Sequence, residues 1–188
     1  MVLHRYYKGN GMGLEILGKT KDLRTDTYVL YAQIPIPDYL SLVGDEFDTF
    51  EIQRTRQRYR AYERMRRDIV NGALLPTITL AVLPEHASEF VPLIESEAYD
   101  KIVEMLQEAE QIRILDGLQR TYSLSELAES HNFEPDHTVH VEIWFETNLD
   151  NLIYRIIVLN AGQKPMSLRH QIELLFGAIK AGQVRKFL

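Results

Sequence analysis

The 188-residue sequence contains no cysteine. That removes disulfides, thiolate-bound zinc, iron–sulfur clusters and thiol nucleophiles, and nothing marks an oxidising compartment. Seven prolines and ten glycines are too few for a collagen-like or low-complexity chain. Long apolar runs are missing too: the uncharged residues 71–84 make a stretch too short for a bilayer and contain proline. The first residues, Met-Val-Leu-His-Arg with glycines at 9, 11 and 13, carry no apolar signal core. Those glycines also lack the strand and helix context of a dinucleotide fingerprint. The expectation is a soluble cytoplasmic protein with no membrane partner, built as one domain or as one with a small appendage.

An excess of positive charge is also absent, since 21 Lys and Arg stand against 27 Asp and Glu for a net −6. That argues against non-specific nucleic-acid binding by the chain as a whole. The distribution is uneven. Between Glu85 and Glu110 eight acids face one base, Lys101, while seven of the basic residues crowd between Arg54 and Arg67. One basic element survives the global sign, and with it a local anion site.

Patterning places strands at 14–17, 27–36, 74–83, 111–115 and 138–147. The last alternates apolar and polar residues as a half-buried strand does, and 74–83 is apolar throughout, as in a covered sheet. Helical spacing covers 52–71, where Tyr59, Tyr62, Met65, Ile69 and Val70 share one side and Arg56, Arg60, Arg64 and Arg67 the other. Further helices are expected at 38–48, 96–110, 123–130, 149–160 and 167–180. Strands separated by helices predict an α/β or α+β fold. We expect a main domain over 1–147 and a helical extension over 148–188, whose good helical pattern and abrupt end suggest continuation into a longer protein.

The most informative string is Ile112-Arg113-Ile114-Leu115-Asp116-Gly117-Leu118-Gln119-Arg120-Thr121, a strand entering an Asp-Gly turn that feeds a helix. Glycine permits close backbone approach, and the first amides of the following helix point free N–H groups outward, so the geometry suits an anion. Arg120 would add a planar charged fork for phosphate, and Asp116 would present a carboxylate to a metal-bound water or a ribose hydroxyl. On spacing alone, the same residues also fit a plain turn beside a surface cation.

Residues 114–121 resemble the Asp-Gly-Gln-Gln/His-Arg signature of the DGQHR and DGQQR proteins, a branch of the ParB/sulfiredoxin-like superfamily found in bacterial DNA phosphorothioation systems and modification-dependent restriction enzymes. Gln53-Arg54, then Gly72 with Leu75-Pro76-Thr77-Ile78, and downstream Asn160-Ala161-Gly162-Gln163-Lys164-Pro165-Met166-Ser167 fall in the order of the family's other segments. The third signature residue, Gln, is Leu118 here, which weakens the case for catalysis. The resemblance implies an α+β fold with a mixed sheet flanked by helices, and a nucleotide- or DNA-phosphate site. Asp116 and Arg120 would be its catalytic pair, and Gln53, Arg54, Gly117, Gln119, Thr121, Asn160 and Gln163 would hold the phosphates. The chemistry implied is hydrolysis of an NTP with Mg2+, within a DNA-modification or anti-phage system that supplies protein partners. A non-catalytic DNA-binding, regulatory or assembly module with the same fold is the alternative.

The ridge of Arg56, Arg60, Arg64 and Arg67 would track a DNA backbone or pair with the acidic 85–110 segment. Arg66 projects toward the apolar side, as an intramolecular ion-pair member or a site residue. His137 and His140 point to opposite faces of one strand, which is wrong for a shared metal, and the sequence holds no His-Asn-His nuclease motif. Tyr122 is placed to stack on a base.

Overall fold

The computed structural model describes residues 11–44, 60–107, 112–130 and 137–160. Five strands form one mixed sheet. β1 (Glu15–Asp22) and β2 (Thr27–Pro35) make an antiparallel hairpin, and β2 pairs antiparallel with β5 (Thr138–Phe145). β5 lies parallel to β3 (Ile78–Val82), which pairs antiparallel with β4 (Ile112–Asp116). The spatial order is β1-β2-β5-β3-β4. The α+β architecture expected from the pattern is the one observed.

Among the described residues six helices flank the sheet: α1 (Ile36–Val43), α2 (Arg60–Val70), α3 (Pro84–Glu95), α4 (Tyr99–Leu106), α5 (Leu118–Glu129) and α6 (Leu149–Asn160). Strand alternation divides the sheet into two unlike faces. Leu30, Ala32 and Ile34 of β2, Val139, Val141, Ile143 and Phe145 of β5, and Leu80 and Val82 of β3 share one core with Tyr39, Ile69, Phe90, Ile94, Ile102, Leu106 and Leu124 from the helices. Phe90 and Phe145 meet at 5.1 Å between ring centroids. The second face carries a smaller cluster, where Leu152 and Ile156 of α6 cover Ala81, Leu115 and Trp144.

Several expectations move. The second strand ends at Pro35, one residue short of the expected 27–36, and Ile36 and Pro37 open α1, because proline's fixed φ suits a first helical turn. The helix expected at 96–110 forms as α4 over Tyr99–Leu106, and residues 108–110 lie outside the described ones. α3 was not anticipated, since prolines at 84 and 92 mask a helix that buries Ala87, Phe90 and Ile94, and α4 begins only at Tyr99. β3 is shorter than 74–83, with Leu74 exposed before it. α5 starts directly after Gly117 rather than at Ser123. In α2, Ile69 is fully buried as its spacing requires, but Val70 is 44% exposed. That helix ends at Asn71-Gly72 as anticipated. Gly72 takes φ +80°, its amide donates to Ile69 O, and the Ala73 amide donates to Asp68 O at 2.9 Å, a Schellman closure. No described helix is long and apolar enough to cross a membrane.

Candidate functional site

The Asp-Gly junction forms where the sequence places it. β4 ends at Asp116, Gly117 takes φ +105° as the N-cap of α5, and Thr121 N–H donates to Gly117 O at 3.0 Å to close the first turn. Only glycine fits. A Cβ there would stand 3.0 Å from Cγ2 of Ile78, besides the strain of a positive φ. Gly117 has no side chain with which to cap the helix, and by helix geometry the first turn of α5 carries the positive end of the dipole at this junction.

Arg120 is fixed from three directions. Its Nη2 donates to Asp116 Oδ2 at 2.5 Å, and its Nη1 donates to the carbonyls of Pro76 at 2.9 Å and Thr77 at 3.0 Å. The pair is part-buried, with side-chain exposures of 15% for Arg120 and 25% for Asp116. The guanidinium therefore staples the segment before β3 to the β4–α5 junction. Thr121 is fully buried. Its hydroxyl lies 2.6 Å from the Tyr39 phenol and donates to Gly117 O at 3.2 Å. Burial pushes the Tyr39 phenol well above its ordinary range, against the smaller opposing effects of the Thr121 hydroxyl and the Arg120 charge. Leu118, where the family signature has Gln, packs against the main core. Gln119 is exposed.

Asp116 also belongs to a row across the sheet. β4 pairs Asp116 with Thr79, β5 places Glu142 on the other side of Thr79, and β2 adds Tyr31 beyond it. The Thr79 hydroxyl donates to Glu142 Oε1 at 2.8 Å, and Trp144 Nε1 donates to the same oxygen at 3.2 Å. Arg155 of α6 stacks 3.9 Å from the Trp144 ring centre and pairs with Asp22. Thr79 is buried within this row, and Tyr31 at its end is 43% exposed. Sequence reading missed Tyr39, Thr79 and Glu142. The one available signal was Glu142, an acid on the polar phase of an alternating strand.

The structure thus brings Asp116, Gly117, Arg120 and Thr121 together at one junction, with Gln119 in the same first turn. Gln53, Arg54, Arg56 and Gln163 lie outside the described residues, and of Arg60 and Asn160 only the helical backbone is described. Arg64 and Arg67 are exposed on α2, and Arg67 Nε donates to Glu63 O at 3.4 Å. α2 rests against α5. Among the described residues no ion pair joins Arg64 or Arg67 to an acid of the 85–107 segment, whose Glu97 pairs instead with Lys19. Arg66 resolves as an ion-pair member with Glu126 of α5. Beside it, Glu63, Arg67, Val70, Asn71 and Leu127 line a shallow groove of about 530 Å³. His140 lies on the polar phase of β5, away from the face of Val139 and Val141, and among the described residues both His137 ring nitrogens are buried without a hydrogen-bond partner. Tyr122 is half-buried on α5.

Mg2+ fits this junction poorly. It needs one or two carboxylates together with substrate phosphates, and the Asp116 carboxylate is engaged by Arg120. Among the described residues no group of three or more His, Asp and Glu could hold a metal ion.

Comparison of the chain with protein-family models, curated proteins and solved structures finds no match.

Proposed function

We propose that the chain is a phosphate-recognising module, taking a nucleotide or a DNA phosphate at the Asp116–Thr121 junction and binding it without hydrolysis. Its setting would be a bacterial DNA-modification or anti-phage system, as the resemblance of residues 114–121 to the DGQHR and DGQQR signature implies. The carrying observation is the arginine fork held beside a helix N-terminus that Gly117 opens, an arrangement that favours negative charge. Two features support binding over turnover. Leu118 is committed to the core, and the Asp116 carboxylate, which hydrolysis would need for a metal or a water, neutralises Arg120.

Titration with pyrophosphate, ATP, GTP and short duplex DNA, followed by a phosphate-release assay, tests the reading. Saturable binding with release at the buffer rate is expected; release above that rate restores the hydrolase. The diagnostic variant is Gln119→Glu. A carboxylate in the first turn of α5 suits the helix dipole, so melting holds or rises slightly, while like-charge repulsion weakens a bound phosphate. Unchanged affinity in that variant removes the site from this junction.

A further inference from the structure

α6 is apolar on two opposite sides. By helical spacing, Leu152 and Ile156 fall on the side that meets the sheet, and both are buried together with Ile153. Tyr154 and Val158, one turn apart on the other side, are exposed. The Arg24 guanidinium of the β1–β2 turn lies 4.7 Å from the centre of the Tyr154 ring, and the tyrosine is still 49% exposed. A surface helix keeps its apolar residues on the core side and polar residues outside, whereas a helix apolar on both sides is covered on both.

The sequence that follows supplies a matching stripe. Residues 161–188 lie outside the described ones, but the helical spacing of 167–180 puts Leu168, Ile172, Leu175, Phe176 and Ile179 on one side and Arg169, His170 and Glu173 on the other. Residues 161–166, with Gly162 and Pro165 among them, join this stretch to α6, a length ordinary for the connection between two packed helices. Folding back in one antiparallel register sets Val158 opposite Leu168 and Tyr154 opposite Ile172, because the two members on each side are one helical turn apart. The short tether also holds the stripe at a local concentration far above that of a separate partner.

We infer that the outer side of α6 is the docking surface for residues 167–180 of the same chain, which pack antiparallel to it with Leu168 on Val158 and Ile172 on Tyr154. The extension over 148–188 then closes as a helical hairpin whose first member is sandwiched between the sheet and the second. This surface is independent of the Asp116–Thr121 junction and of any ligand taken there.

The lack of cysteine makes thiol cross-linking in the full chain a clean test. Val158→Cys is combined with Leu168→Cys and, for comparison, with His170→Cys on the polar side of the same stretch. A short bis-maleimide spans the about 8–10 Å between packed helices, and intact mass separates one linker bridging two thiols from two linkers each attached once. We expect Val158→Cys/Leu168→Cys to bridge within one chain about tenfold faster than Val158→Cys/His170→Cys, the advantage of a stripe held against its surface. Equal rates, or no bridge in either, overturn the inference, since an undocked tether presents both positions alike. Linked dimers as the main product of the Leu168→Cys pair also overturn it, because the occupant is then a second copy. If the first pair fails to fold by circular dichroism, Tyr154→Cys with Ile172→Cys, set against Tyr154→Cys with Glu173→Cys, reads the same register with the same outcomes.

Discussion

The two faces of the sheet solve different problems with the same strands. On the core face, β5 contributes Val139, Val141, Ile143 and Phe145, and α1 to α5 bury them under Tyr39, Ile69, Phe90, Ile102 and Leu124. On the other, the same strand contributes His140, Glu142 and Trp144, all only half-buried, and α6 covers part of it. The first face holds the fold together through apolar area. The second carries polar side chains whose orientation is set by hydrogen bonds, Thr79 and Trp144 converging on Glu142 and Arg120 fixing Asp116. Large substitutions are costly on the core face because close-packed interiors do not refill a void. On the polar face the cost follows which donor or acceptor loses its partner.

The largest expected effect is on the core face. Leu80→Ala, at a fully buried position beneath the helices, is expected to lower unfolding free energy by about 2–5 kcal/mol. Tyr31→Ala on the open face, 43% exposed, is expected to cost less than about 1 kcal/mol. Urea unfolding of the two variants side by side checks the contrast, and equal losses would break it.

Next comes the staple at the boundary of the two faces. Arg120→Ala removes the ion pair to Asp116 and two bonds to backbone carbonyls, so a loss of about 2–3 kcal/mol is expected, lowered from the fully buried case by the pair's partial exposure. Arg120→Lys keeps the charge without the fork and should recover only part of that loss. Thermal melts of both variants decide it; a melt unchanged in Arg120→Ala would mean that the three contacts contribute nothing.

A smaller effect is expected where α1 meets the junction. Tyr39→Phe deletes the bond to the Thr121 hydroxyl and should cost about 1 kcal/mol near neutral pH. The pH profile is more telling. The folded phenol is held above its usual value of 10.0, so it keeps its proton where the unfolded chain has begun to lose it. Below pH 10 the contribution is fully present, and above it stability falls as pH rises, because the unfolded state then binds fewer protons. Tyr39→Phe should lack that share of the alkaline loss. Denaturant midpoints from pH 8 to 11 measure the difference, and superimposable profiles would show that the phenol does not titrate with unfolding.

The smallest stability effect is expected on the exposed side of α2. Reversing Arg64 and Arg67 to Glu should change the melt by less than about 0.5 kcal/mol per site. If these arginines contact DNA, the reversal flattens the dependence of the logarithm of the binding constant on the logarithm of salt by about two phosphate contacts. Isotherms at two salt concentrations give the slope, and a slope that stays put places any DNA contact elsewhere.

Much of this architecture is written in short-range pattern. The alternation of residues 138–145 predicts the half-buried burial of β5 because side chains on a strand point to opposite faces in turn. Asp116-Gly117 predicts a strand-to-helix junction because glycine alone takes the required φ beside Ile78. Gly72 ends α2 for a related reason. Those properties depend on neighbours a few residues apart, so the sequence determines them alone. α3 escaped because its prolines obscure a local pattern that only packing against β5 rescues. The site's character was decided at longer range. Spacing leaves Arg120 as a surface cation or a phosphate fork, and its orientation is fixed only by the carbonyls of Pro76 and Thr77, more than 40 residues earlier. Thr121 reads as a ligand contact until Tyr39, 82 residues away, closes over its hydroxyl. Arg66 finds Glu126 across 60 residues. Hydrogen-bond partners are chosen by which strands and helices become neighbours, and that follows from burying the whole chain's apolar surface at once rather than from any window of it.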